Sequence, residues 1–332
     1  MDHPVITRED ANDLAYQFTD SLASEIEKAV IGKSREAKLL IAALIAGGHV
    51  LIEDVPGVGK TTLASALAAA AGLTFRRAQF TPDVLPSDIT GFNLYNRKTE
   101  SFEFRRGIVD THILLADEIN RASPKTQSSL LEAMEENKVT VDGTTYPLPK
   151  PFMVIATQNP LGFVGTYPLP ESQLDRFALR IRLGYPTTEE EIKILTRRMG
   201  SEDPLAEIRP LPDPKAIFLL KAIAEKVKLS PEIKQYLVTL VAATRGREEL
   251  ALGASPRASL SLMRLAKAKA VIEHRDYVVP EDVSSLFSAA VAHRVTLSRE
   301  AAAAGRTAEE ILEHIRSVTP VPFLNRLRRP FS

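Results

Sequence analysis

The stretch EDVPGVGKTTLASALAAAAGL, which begins at Glu53, constrains the fold of this chain more than any other part of the sequence. It overlaps a short apolar run, HVLIED, and it continues into an alanine-rich segment. A buried strand, a glycine-containing loop and a helix, in that order, bring successive backbone N–H groups together where they can bind a phosphate. The stretch therefore predicts an α/β nucleotide-binding domain.

One residue of this loop departs from the usual phosphate-loop spacing G-x-x-x-x-G-K-[ST]. Asp54 stands where the first glycine is expected, whereas Gly57 and Gly59 are kept, so that the backbone can approach a phosphate closely. Lys60 can supply a positive charge and Thr61 a hydroxyl for Mg²⁺. Position 54 lies at the exit of a strand, and aspartate tolerates turns, so we expect a working site.

A second apolar run, ILLADE, ends in Asp117 and Glu118. Two acids after such a run are often ordinary surface residues. Behind a phosphate loop, however, they suit a pair in which Asp117 holds Mg²⁺ and Glu118 polarises the attacking water. A third run, within FMVIATQNP, ends at Asn159, a polar residue that could contact a water or a γ-phosphate. Taken alone, an asparagine before proline is more often a turn former.

The order of apolar segments predicts a layered fold. Four short runs are apolar throughout, as is typical of parallel strands buried on both faces, and they are separated by helix-like segments. A weaker fifth run follows the first helix. The five predicted strands are HVLIED, TFRRAQF, THILLADE, FMVIATQN and FALRIRLG.

The pattern changes after Tyr185-Pro186, where helical segments follow one another without a convincing strand. We therefore divide the chain into an α/β nucleotide-binding core, residues 1–185, and a helical second part, residues 186–332. Two hairpins are predicted inside the core. Their sequences are GFNLYNRKTESFEFRRGIV and VTVDGTTYPLP.

Composition excludes several classes of function. The chain has no cysteine, which excludes disulfides, thiol catalysis and thiolate metal sites, and its six histidines show no metal-ligand spacing. The chain has 42 basic residues (lysine and arginine) and 42 acidic residues (aspartate and glutamate), so no net charge attracts nucleic acid. The basic sequence RLRRP near the C-terminus is interpreted as a solvated tail. The N-terminus lacks an apolar signal core, and no apolar run is long enough to insert into a membrane, so we expect a cytoplasmic protein.

Five motifs stand in order along nearly the whole chain. They are DVPGVGKT, LLADEINRASPKTQSSLLEAMEE, ATQNP, LPESQLDRF and GASPRASLSLMRLAKA. In their order and spacing they resemble the MoxR family of AAA+ ATPases. The resemblance implies a P-loop core with a parallel five-stranded sheet in αβα layers, helix-2 and pre-sensor-1 hairpin inserts, and an all-helical lid.

The resemblance also implies roles for individual residues. Asn159 matches sensor 1, Arg176 matches the arginine finger that reaches a neighbouring subunit, and Arg257 matches sensor 2. Asp117 and Glu118 match Walker B. Walker A is matched by Pro56, Gly57, Val58, Gly59, Lys60, Thr61 and Thr62, and the segment lining the adenine pocket by Val30, Ile31 and Gly32.

The family further implies an activity: hydrolysis of ATP to ADP with Mg²⁺ by a homo-oligomer, most simply a hexameric ring. It implies chaperone-like remodelling or maturation of a protein client, in some members with metal cofactor insertion, and a partner with a von Willebrand A domain. Two alternatives remain open at this point. One is a magnesium-chelatase-like or DNA-translocating motor subunit, and the other is a scaffold that binds nucleotide without hydrolysing it.

Overall fold

The computed structural model describes residues 8–159, 166–199, 203–211 and 213–322, so the basic sequence RLRRP lies outside the described residues. The strands are β1 (His49–Glu53), β2 (Phe75–Gln79), β3 (Gly91–Asn96), β4 (Ser101–Arg106), β5 (Ile113–Asp117), β6 (Lys138–Val141), β7 (Thr144–Pro147), β8 (Met153–Gln158), β9 (Phe177–Ile181), β10 (Leu250–Leu252) and β11 (Thr296–Leu297). The helices are α1 (Arg8–Ala29), α2 (Ser34–Ala46), α3 (Lys60–Ala70), α4 (Pro86–Thr90), α5 (Pro124–Glu136), α6 (Glu171–Leu174), α7 (Thr188–Met199), α8 (Ala216–Lys226), α9 (Pro231–Ala242), α10 (Pro256–Ile272), α11 (Pro280–Val291), α12 (Arg299–Ala303) and α13 (Ala308–Val318).

Five strands form one parallel sheet in the order β2-β5-β8-β1-β9, which confirms all five predicted strands. The side chains of β5 are buried throughout, as a strand covered on both faces requires, whereas β2 lies at an edge and is largely exposed. Because the strands are parallel, the carboxyl ends of β5, β8 and β1 lie side by side. The topology thus brings the acidic pair, Asn159 and the phosphate loop to one edge of the sheet.

The two faces of the sheet bury separate hydrophobic clusters. The larger one joins the first three helices to helices of the second part of the chain, among them α8, α10 and α11. The smaller one lies under α5 and the hairpins and includes Phe80, Leu130 and Phe177. Packing therefore continues across the division predicted between residues 185 and 186. The core and the lid share the larger cluster, whereas the smaller cluster belongs to the core.

The second part of the chain is helical in the main, but the expectation of helices alone is wrong in one detail. β10 pairs with β11 in an antiparallel ladder, and Lys228 forms an isolated bridge with Tyr277. Strands of three and two residues are too short to show a period of two, so the sequence pattern could not reveal them.

Several helices begin with capping side chains. Ser123 caps α5, accepting a hydrogen bond from the Thr126 N–H. Thr187 and Glu190 form a capping box at the start of α7, as do Thr307 and Glu310 at the start of α13. Among the described helices, none combines the length and apolar character needed to cross a membrane.

Both predicted hairpins are present and contact each other. β3 pairs with β4, and β6 pairs with β7 around Asp142 and Gly143, whose φ angles of 49° and 80° suit a tight hairpin turn. The Phe104 ring stacks on the Tyr146 ring with 3.8 Å between centroids. The Asn93 amide also donates to the Asp142 carboxylate at 2.7 Å. The two hairpins therefore form one packed unit.

Candidate nucleotide site

The phosphate loop has the backbone that its glycines predict. Gly57 and Gly59 take φ angles of 86° and 91°, which L side chains rarely adopt, and a Cβ at either position would have no atom within 4 Å. Conformation, and not crowding, therefore requires glycine at both positions. α3 begins directly at Lys60, so the positive end of its dipole faces the open side of the loop.

Lys60 lies among carboxylates. Its Nζ donates to the backbone oxygen of Asp54 at 2.8 Å. Partial burial lowers the pKa of Lys60, while the negative charges of Asp117, Asp54 and Glu118 act in the opposite direction. The Lys60 ammonium therefore lies within the electrostatic influence of both acids predicted for metal binding and water activation.

Asp117 is held from two sides by residues that the sequence did not reveal. The Thr157 hydroxyl donates to its Oδ1 at 2.6 Å, and the Arg77 guanidinium donates to its Oδ2 at 2.6 Å. Arg77 lies on β2 and Thr157 on β8, the two neighbours of β5 in the sheet. Only the order of the strands, which no local pattern specifies, brings the three side chains together.

Glu118 follows Asp117 in a left-handed conformation with φ of 54°. Its N–H donates to the Thr157 hydroxyl at 2.9 Å, and its Oε2 accepts from the Arg121 guanidinium at 2.9 Å. A non-glycine residue in this conformation is strained, and such strain is most often found at functional sites. Asn159 follows the end of β8, the strand next to β5, and is half-buried.

Thr61 and Asp117 offer a hydroxyl and a carboxylate, the hard oxygen donors that suit Mg²⁺. Across the described parts of the chain, no group of three or more His, Cys, Asp or Glu side chains is arranged to hold a metal without help. This donor set fits a Mg²⁺ that takes its remaining ligands from nucleotide phosphates and water.

The segment predicted to line the adenine pocket lies beside the phosphate loop. Together they border a cavity of about 200 Å³, which α7 and its flanks close from the other side. Gly32 is in the left-handed region with φ of 74°. The residues lining the cavity are Ala29, Val30, Ile31, Lys33, Gly57, Val58, Gly59, Thr62, Pro186, Ile194, Arg197 and Pro204.

Arg176 and Arg257 lie together at a different place. Both bind Glu135 of α5: Arg257 pairs with Oε1 at 2.7 Å, and Arg176 pairs closely with Oε2. Arg176 also donates to the Leu131 backbone oxygen at 2.9 Å. Neither arginine is among the residues that line the cavity beside the phosphate loop. Glu135, which the sequence reasoning missed, is therefore the residue that joins them.

Asp54, the departure from the usual loop pattern, is buried, and both of its carboxylate oxygens accept hydrogen bonds. Its Oδ1 accepts the Val55 N–H at 2.8 Å. Its Oδ2 accepts the N–H groups of Leu183 and Gly184 at 2.6 and 2.7 Å. The sequence reasoning expected a tolerated turn residue here, but no local signal could connect Asp54 with residues 129 positions away.

Comparison with known proteins matches both parts of the chain. Residues 49–179 match the model of the ATPase family associated with various cellular activities (AAA), and residues 242–315 match that of the AAA lid domain. The chain is 40% identical to the chaperone MoxR1 of Mycobacterium tuberculosis, over 91% of this chain and 81% of that protein. It is 49% identical to the protein YeaC of Bacillus subtilis, over 90% of this chain and 92% of YeaC. A solved structure from Cytophaga hutchinsonii superimposes with a TM-score of 0.87 at 37% identity, covering 95% of this chain and 98% of that one.

Proposed function

Since this chain belongs to the MoxR family of AAA+ ATPases, we propose that it binds ATP with Mg²⁺ and hydrolyses it to ADP and phosphate. One observation carries the proposal: the grouping of Lys60 with the carboxylates of Asp117 and Glu118 at one edge of the sheet. The charge that develops on a transferred phosphoryl group needs a fixed cation, and a water needs an oriented base. Lys60 is the cation in this grouping, and Glu118 is the base.

The roles follow from the chemistry of each side chain. Glu118 would accept the proton of the attacking water, and Asn159 would hold that water in line with the γ-phosphate. Lys60 would neutralise phosphate oxygens, and the loop N–H groups would bind the others. Mg²⁺, held by Thr61 and Asp117, would polarise the phosphates.

We further propose that hydrolysis takes place between subunits of a ring, most simply a hexamer. The support is that Arg176 and Arg257 lie on Glu135, apart from the residues lining the cavity of their own chain. Two arginines held on one carboxylate suit a single task, which is stabilisation of the γ-phosphate of a neighbouring subunit. A monomer would then be an incomplete enzyme.

The work coupled to hydrolysis is proposed to be remodelling of a protein client. This rests on the similarity to a protein named as a chaperone. A partner with a von Willebrand A domain and insertion of a metal cofactor are proposals that the family resemblance alone supports. DNA binding that weakens steeply with salt would instead favour a motor.

Mixing inactive variants tests hydrolysis and its location together. Arg176→Ala and Glu118→Gln should each lose activity by about a hundredfold or more, because each lacks one group that acts on the transition state. In mixed rings, about a quarter of the interfaces would join an intact Glu118 to an intact Arg176 of the next subunit. We therefore expect phosphate release to recover to as much as about a quarter of the wild-type rate.

A second mixture is the matched control. Lys60→Ala and Glu118→Gln both damage the same half of the interface, so their mixture should remain inactive. Failure of the first mixture to recover would contradict action between subunits. Full activity of Arg176→Ala alone would remove that arginine from the mechanism.

A further inference from the structure

Helix α7 stands apart from the packed body of the molecule while bordering the nucleotide cavity. From Thr188 to Arg197, none of its side chains is buried and none belongs to either hydrophobic cluster. Its Ile194 and Arg197 nevertheless line the cavity beside Gly57 and Gly59. A helix with so few buried side chains is a low-stability element, and its position depends on how its two ends are held. At its far end, Arg197 donates to the Lys28 backbone oxygen, so the start of the helix is the second point at which it is held.

The chain that leads into α7 is held by two buried side chains. Asp54 accepts the N–H groups of Leu183 and Gly184, and the Lys33 ammonium donates to the Leu183 carbonyl at 2.6 Å. Asp54 and Lys33 are only 7% and 8% exposed, so water competes little for these bonds. We call these four residues (Lys33, Asp54, Leu183 and Gly184) the α7 clasp.

The α7 clasp also contacts both ends of the nucleotide site. At the phosphate end, the Lys60 ammonium donates to the backbone oxygen of Asp54 at 2.8 Å. An ammonium has three donors, so Lys60 can hold this oxygen and a phosphate at once, and any displacement of Lys60 acts on Asp54 directly. At the other end, Lys33 directly follows the segment predicted to line the adenine pocket.

A further contact ties that segment to the first turn of α7. The Glu190 carboxylate occupies the space that a Cβ at position 32 would need, so Glu190 packs directly against the Gly32 backbone. Glu190 is the residue that closes the capping box with Thr187. Glycine at position 32 thus lets α7 approach the segment closely.

We propose that Asp54 is a positioning residue that couples nucleotide binding to the placement of α7. The inference rests on the proposed function, because it needs a nucleotide at the phosphate loop. A glycine at position 54 could form the loop but could not accept the two N–H groups at the start of α7. The departure from the usual motif is therefore what connects the phosphate loop to this helix.

Hydrogen exchange with and without ADP tests the coupling. In the wild type, we expect ADP to slow amide exchange both in the loop, residues 55–61, and in the segment 182–197. Asp54→Asn places an amide NH₂ group or a poorer acceptor against the two N–H groups. We expect it to bind fluorescent ADP within about threefold of the wild-type Kd and to keep the slowing in the loop. The slowing in 182–197 should be lost.

Three comparisons make the result decisive. Asp282→Asn is the matched control, since Asp282 of α11 is a buried carboxylate away from the loop. It accepts the Val279 N–H, directly before the helix, and pairs with Arg275, and its variant should keep both responses. Lys33→Met removes the other half of the α7 clasp and should reproduce the loss, which covers the case in which Asp54→Asn does not fold. An unchanged response in 182–197 for both clasp variants, or a tenfold loss of ADP affinity in Asp54→Asn, would overturn the inference. Failure of the wild type to bind ADP would instead refute the proposed function.

Discussion

At the scale of single residues, the site depends on charged groups that meet across the sheet or between helices. Asp117 is paired with Arg77 and hydrogen-bonded to Thr157, so its carboxylate is held in one orientation before any metal binds. Glu135 plays a similar part for Arg176 and Arg257. Fixed orientation matters because preorganised charge costs little reorganisation when the reaction takes place.

Removing the charge of Glu135 should misplace both arginines. We expect Glu135→Gln to lower kcat for ATP hydrolysis by about tenfold or more, because small errors in position are costly in catalysis. The KM for ATP should change little, since the arginines would act on the transition state. Steady-state phosphate release at several ATP concentrations separates the two parameters.

The control for this prediction is Glu132→Gln. Glu132 lies three residues earlier on α5 and lines a second cavity together with Glu135 and Arg176, but it forms no ion pair with either arginine. It should keep nearly the full kcat. Equal losses in the two variants, or a change confined to KM, would contradict the positioning role of Glu135.

At the scale of elements, the two hairpins are joined by a ring stack and a hydrogen bond. Phe102 and Phe104 share one face of β4, yet only Phe104 reaches the second hairpin, and Phe102 remains 72% exposed. Alternation along β4 places both aromatic residues on this face. The alternation could not predict that Phe102 would contact Tyr95 of its own hairpin while Phe104 would reach the second hairpin, because that depends on where the second hairpin lies.

Loss of the ring stack should loosen the second hairpin. An aromatic pair contributes about 0.5–1.5 kcal/mol beyond its buried area, so Phe104→Leu should speed amide exchange across residues 138–147 by several-fold. The exposed Phe102→Leu on the same strand is the control and should leave this exchange unchanged. Equal exchange rates in the two variants would show that the hairpins are held together by other contacts.

At the scale of the whole molecule, core and lid share the larger hydrophobic cluster, so we expect them to unfold together. Each also buries a neutral histidine. His49 of β1 bonds the backbone of α5 and β8, and burial lowers its pKa from 6.5 to about 4. His293 bonds the Phe177 carbonyl, and burial together with the charge of Arg294 holds its pKa well below 6.5.

These histidines predict destabilisation in acid. In the unfolded chain His49 binds a proton below about pH 6.5, whereas in the folded protein it stays neutral down to about pH 4. Its contribution to the free energy of unfolding is therefore complete above pH 6.5 and is lost as the pH falls from 6.5 to about 4. The shift of His49 corresponds to about 3 kcal/mol. Calorimetry between pH 7.5 and about 4.5 should show a single transition whose Tm falls with pH.

Single substitutions check the origin of this dependence. His49→Gln should reduce the slope of stability against pH, whereas His314→Gln, at an exposed position on α13, should not. Two separate transitions would contradict the shared cluster. A Tm that does not change between pH 7 and 5 would contradict the assignment to the buried histidines.

The sequence by itself determined the local features of this protein: the phosphate loop, the five strands and the two hairpins. These features depend on hydrophobic periodicity and on residue types within a few positions, and a short segment of sequence contains both. The tertiary structure alone decided that Asp54 meets Leu183, that Arg77 meets Asp117, and that Glu135 joins Arg176 to Arg257. Such contacts link residues 40 to 129 positions apart, and the order of strands in the sheet and the packing of helices bring them together. Burial patterns along the chain show which face of an element is covered, but they do not show which distant element covers it.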